Sequence, residues 1–173
     1  MMTRYTNVKH ALSMPLLLTR LTAWLALLFY AMAVAVRRER PRSARRLWSA
    51  GLGAMAVHVV CAFGFMHAWS HAGAAEFTDR QTLALTGVDF RGGLWVNYAF
   101  LILWLADVAW WWIDARSYES RPRAVEWGVQ AVFAFLFVNA AIVFASGVGR
   151  WLGVATFAAL AAKWSFATRR QPL

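Results

Sequence analysis

Two histidines, His67 and His71, stand four residues apart, and Glu76, Asp79 and Asp89 follow them. On one continuous helix, side chains four apart share a face. Such a pair is a usual beginning for a divalent metal site, which needs at least one further ligand. His67, His71 and Glu76 are therefore the candidate metal ligands, and a metal ion is the cofactor that this stretch would admit. The metalloprotease pattern H-E-x-x-H is not met, because Ala68 stands where its glutamate would be. The plainer reading is preferred: two interfacial imidazoles hydrogen-bonded to water and loop backbone. Haem is disfavoured, since a bis-histidine haem needs ligands on facing helices. Here His58, His67 and His71 all belong to one hydrophobic run or its edge, and the only other histidine is His10.

The elements that must position these residues are apolar. Of the 173 residues 61% are hydrophobic and 15% charged, too apolar for an ordinary soluble domain. Five runs carry the excess: residues 14–36, broken only by Arg20; 47–69; 92–113, with Asp107 alone; 127–149; and 151–168, with Lys163 alone. About 20 residues of helix cross a bilayer core. The expectation is an all-α integral membrane bundle, one domain over residues 1–173. Its five spanning helices are expected at about 14–36, 47–69, 93–113, 126–147 and 151–168, the fifth being the shortest. The first run is read as a permanent helix rather than a signal peptide, because six arginines follow it instead of a small-residue cleavage site.

The net charge of +10 has an explanation that does not involve nucleic acid. "RRERPRSARR", residues 37–46, places six arginines in the first loop, and positive loops stay cytoplasmic. This predicts an N-terminus outside, a C-terminus inside and an inner-membrane location. Residues 114–126 then fall inside, and the loop 70–92 outside. Most tryptophans, Trp48 and Trp111 among them, fall near expected helix ends and are read as interfacial anchors. The single cysteine, Cys61, excludes an intramolecular disulfide. No phosphate-binding glycine loop or serine nucleophile elbow is present. Gly51 and Gly53 offer close helix packing.

Polar residues inside hydrocarbon mark function or specific pairing. With ~1.5 Å of rise per residue, the expected helices place them in two layers. The outer layer holds Arg20, Asn97, His67 and His71, with Asp89 at its rim, and these five are expected to form one shallow outward-facing cluster. The middle and inner layer holds His58, Asp107, Asn139 and Lys163. Asp107 is expected to pair with Lys163 or to hydrogen-bond His58 or Asn139, with a proton relay through His58 as the functional alternative. In the outer loop, Thr78 is read as the N-cap of a short helix over residues 79–85, closed by a turn at Thr86 and Gly87.

The segments "HVVCAFGFMHAWSHAGA", "TLALTGVDFRGGLWVNY" and "LWLADVAWWW" carry a resemblance. The chain resembles, over about residues 55–165, a group of small polytopic bacterial membrane proteins of unknown function. These share an H-x-W-S-H segment, a T-G-x-D loop ending in Gly-Gly, then V-N-Y and W-L-A-D. The resemblance implies a multi-pass membrane protein and brings no activity with it. It also implies a further histidine where this chain has Gly64, which weakens a metal role for His67. The expected function is a non-enzymatic membrane component, an accessory subunit or small-ligand-binding bundle whose partners are lipid and other membrane subunits. The alternative is a metal-dependent membrane enzyme or redox protein using His67, His71 and the outer-loop carboxylates.

Overall fold

A computed structural model describes residues 14–169, with side chains through residue 163. The described residues contain helices and turns and no strand. The helices are α1 (Met14–Val36), α2 (Pro41–Cys61), α3 (His71–Thr86), α4 (Gly93–Ile113), α5 (Ala115–Glu119), α6 (Arg123–Val138) and α7 (Gly147–Arg169). Both α2 and α6 run on into a wider, π-helical turn, Ala62–Met66 and Asn139–Val143 respectively. Among the described residues, four helices are long and apolar enough to cross a membrane: Met14–Val36, Pro41–Met66, Gly93–Ile113 and Arg123–Val143. The chain is thus an all-α bundle of membrane-spanning type. The run at 151–168 lies within α7, outside that set of four.

The bounds of α1 and α4 coincide with the expected ones, but α2 and α6 begin earlier. Proline is favoured in the first helical turn because its missing N–H has no helical partner there anyway. Pro41 occupies this position in α2. The helix consequently takes in Arg42, Arg45 and Arg46, which the sequence reading assigns to a loop. Trp48 then lies two turns inside rather than at an end. It is buried, and so is Trp111 near the end of α4. Neither is an interfacial anchor.

Both rings belong to an aromatic core shared by α1, α2, α4 and α6. Trp48 packs against Tyr30, Trp104 and Phe133 with ring centroids 4.7–5.7 Å apart. Phe100 and Phe137 complete it. Such pairs contribute beyond their buried area, about 0.5–1.5 kcal/mol each. Gly51 makes the core possible: a Cβ there would lie 2.7 Å from Trp104 Cζ2. Gly53, the other glycine singled out, faces open space. Gly153 brings α7 against the backbone of the second π turn, where a Cβ would stand 2.5 Å from the Ala141 carbonyl oxygen.

The outer loop is more regular than expected. α3 spans 16 residues, and its N-cap is Ser70, whose Oγ accepts from the Gly73 amide at 3.0 Å. Thr78 does not cap it; its Oγ1 donates back to the Ala74 carbonyl within the helix. The stop falls where expected, at Gly87, which takes the left-handed conformation with φ 72°.

Candidate functional sites at the two ends of the bundle

The end formed by the C-termini of α1 and α4 and the N-termini of α2 and α6 carries the arginines. The opposite end, formed by the two π turns, α3 and the start of α4, carries His67 and His71. These are the arginine end and the histidine end.

At the arginine end Asp107 is buried in α4, and both of its oxygens are engaged. Arg121 Nη1 donates to Oδ1 at 2.7 Å, and the Tyr118 hydroxyl donates to Oδ2 at 2.7 Å. Arg121 also lies over the Tyr118 ring, its Cζ 4.2 Å from the centroid. Tyr118 stacks on Trp111 at 4.4 Å. Arg37, just past the end of α1, covers both rings at 5.1 and 5.2 Å and reaches Glu126 at 3.6 Å. Burial pushes the Tyr118 phenol well above its ordinary value, and the negative charge of Asp107 adds to the rise. Two Arg121 nitrogens, Nε and Nη2, are buried without a hydrogen-bond partner.

This arrangement corrects the expected pairing of Asp107. Lys163 instead reaches Glu39 at 3.5 Å, and both are exposed. His58 Nδ1–H donates to the Thr19 carbonyl of α1 at 2.8 Å, which fixes the proton on Nδ1. Asn139 donates to the Phe135 carbonyl at 2.7 Å. The four polar residues of the middle and inner layer thus share no partner and do not pair with one another. Asn139 stands where α6 widens, and Phe144 N–H reaches back to its carbonyl, five residues earlier. A side chain inserted into the i→i−4 ladder is a known cause of such widening. Arg121 and Tyr118 were not among the candidate residues. A short polar segment between two spans gives no sign in sequence of which side chain turns inward.

At the histidine end the expectation of one shared helix face fails. The first π turn ends at Met66, and His67 is its C-cap. Ala68 and Trp69 then take left-handed φ of 48° and 61°, rare for residues with a side chain. Ser70 opens α3, so His71 is the first residue of a different helix. The i, i+4 phase argument therefore does not apply. The two imidazoles join neighbouring aromatic contacts instead. His67 packs on Phe63 and Phe77 at 6.0 and 5.3 Å, and His71 on Trp95 and Tyr98 at 5.8 and 5.7 Å. Phe63 and Tyr98, stacked at 6.3 Å, link the two groups. Trp69 folds back over Gly64, where a Cβ would meet its ring at 3.1 Å. Glycine at this position leaves room for the tryptophan that a larger side chain would crowd.

The acids do not converge on the histidines. Glu76 pairs with Arg80 at 3.5 Å and Asp89 with Arg91 at 3.5 Å, all four exposed. Arg20 and Asn97 are exposed. Among the described residues no three of His, Cys, Asp and Glu gather closely enough to hold a metal ion. The structure thus gathers histidines and aromatic rings, and leaves Glu76 paired elsewhere.

No protein-family model, curated protein or solved structure matches the chain. Its class rests on the fold alone: a helical membrane-type bundle with one buried ion-pair centre and one exposed aromatic–histidine end.

Proposed function

We propose that the protein is a non-enzymatic component of the bacterial inner membrane, an accessory subunit or small-ligand-binding bundle. Its working face is the histidine end. One observation carries this reading. α3 and the segment after it lie outside the four candidate spans, yet Phe77, Leu83, Leu85, Val88 and Phe90 are exposed there. Met66, Trp69 and Trp95 extend the same apolar character along the adjoining helix ends. Exposed apolar side chains concentrated in a segment outside the candidate spans support an interaction face there. In this reading α7 is a fifth span, the arginine end faces the cytoplasm and α3 faces outward. The six arginines of residues 37–46 support that orientation.

The test is isolation of the full chain from its native membrane in mild detergent, with a Phe77→Asn/Leu85→Asn variant beside it. A stoichiometric partner or small molecule retained by the wild type and lost from a normally inserted variant is the expected result. Stoichiometric metal that disappears in a His67→Ala/His71→Ala variant would instead establish the metal-dependent alternative. Orientation has its own test in a Cys61→Ala background: an impermeant thiol reagent should label Asp89→Cys and spare Ser43→Cys in intact cells.

A further inference from the structure

The charges at the arginine end do not all neutralise one another. The first turn of α2, the last turn of α4 and α5 enclose an open cavity of about 380 Å³ lined by Pro41, Arg42, Arg45, Trp111, Ala115 and Glu119. Sites for small ligands span roughly 300–1,000 Å³. Arg42 and Glu119 both line this cavity, but among the described residues neither belongs to an ion pair. Glu119 accepts one long hydrogen bond, from Trp111 Nε1 at 3.5 Å. Arg45 is pinned in place: Nη1 donates to the Trp111 carbonyl at 3.2 Å, and the guanidinium lies 4.1 Å from the Trp112 ring centroid. Its Nε is buried and has no partner. Arg42 and Arg45, three apart on α2, lie on one side of the helix. α2 has no side-chain cap, so its free N–H groups and positive dipole end add to the same attraction for an anion.

The helices themselves set the depth of this cavity. Pro41 begins one candidate span, and Trp111 stands two residues before the end of another, about 3 Å along the helix. The cavity therefore lies at the ends of these two helices, where a spanning helix meets the headgroups, whichever way the chain is inserted. We propose that it binds the headgroup of a phosphoethanolamine lipid, with the phosphate on Arg42 and Arg45 and the ammonium on Glu119. An anionic headgroup without an amine would set its phosphate beside an uncompensated carboxylate. A trimethylated amine would have no N–H to donate to Glu119. This site is independent of the partner face at the histidine end.

The full chain, delipidated and reconstituted in nanodiscs of equal phosphatidylethanolamine, phosphatidylglycerol and phosphatidylcholine, tests the assignment by native mass spectrometry of retained lipid. Phosphatidylethanolamine should be enriched over each of the others by about three- to fivefold, the size of an exposed ion pair. Glu119→Gln should abolish the preference over phosphatidylglycerol while leaving total lipid retained. Arg42→Gln should lower retention of all three classes about threefold. Both side chains are exposed, and unchanged melting temperatures would show that the variants fold. Equal retention of phosphatidylglycerol, or a preference that survives Glu119→Gln, would overturn the proposal. Displacement of the lipid by soluble glycerophosphoethanolamine at equal concentration would reassign the site to a free phosphoester and overturn its lipid part.

Discussion

At the arginine end, Asp107 and Arg121 meet at 2.7 Å with side chains 3% and 0% exposed. At the histidine end, Asp89 and Arg91 meet at 3.5 Å with side chains 61% and 81% exposed. The two pairs have the same chemistry and different consequences. Water screens the second, which contributes at most ~1 kcal/mol. The first is shut away from solvent, where removing one partner leaves a charge with no solvation, at a cost of about 3–5 kcal/mol. The surroundings differ in the same sense. Tyr118 touches both Asp107 and Arg121, and Trp111 and Arg37 pack in turn on Tyr118. The histidine end instead presents half-open rings and a reversal through two left-handed residues. One end is a closed contact between helices; the other leaves its rings accessible.

The largest effect should come from Asp107→Leu. It strands the buried Arg121 guanidinium, and thermal unfolding in detergent should show a loss of about 3–5 kcal/mol. Asp107→Asn should be milder, because its amide oxygen still accepts from Arg121. Asp89→Leu, the same change at the other end, should cost under ~1 kcal/mol. A similar loss for Asp89→Leu and Asp107→Leu would remove the distinction between the two ends.

A smaller contrast comes from one added methyl group. Gly51→Ala drives a Cβ against the buried Trp104 ring and should cost about 1–3 kcal/mol, read from the melting temperature. Gly64→Ala meets Trp69, which is 67% exposed and can swing away, so the cost should be well below that of Gly51→Ala. Ser70→Ala should lose ~1 kcal/mol of capping. Faster amide exchange in the first turn of α3, with the arginine end unchanged, would show that loss as local.

The last contrast is one of pH. The folded Tyr118 phenol titrates above its ordinary value of 10.0, mainly through burial and further through the charge on Asp107. Its stabilising contribution is complete below pH 10.0 and declines as pH rises from there toward the folded value. Tyr118→Phe should lower stability at neutral pH, by about 1.5–3 kcal/mol for a lost hydrogen bond to a charged group, and flatten the alkaline fall. An unchanged alkaline slope in Tyr118→Phe would show that another group causes it.

The amino-acid sequence determined the helical class, the bounds of α1 and α4, the stop at Gly87 and the concentration of arginine at one end. Each depends on a property carried by the residue itself or its immediate neighbours: transfer into hydrocarbon, permitted backbone angles and charge. The early start of α2 was also legible in Pro41, but six neighbouring arginines made the segment read as a loop. Ser70 likewise carried an N-cap signal, hidden by assuming that one apolar run is one helix. The tertiary structure alone decided the rest. Hydropathy favours leaving water and does not distinguish lipid from a protein neighbour, so Trp48 and Trp111 read as anchors although they fill the core. Tyr118 and Arg121 belong to a polar connection, and only the folding of α5 against α4 turns them onto Asp107. The separation of His67 from His71 depends on two left-handed residues with no glycine to announce them. Such a turn persists only where the packing around it, here Trp69 folded over Gly64, holds the chain in a conformation that its local sequence does not favour.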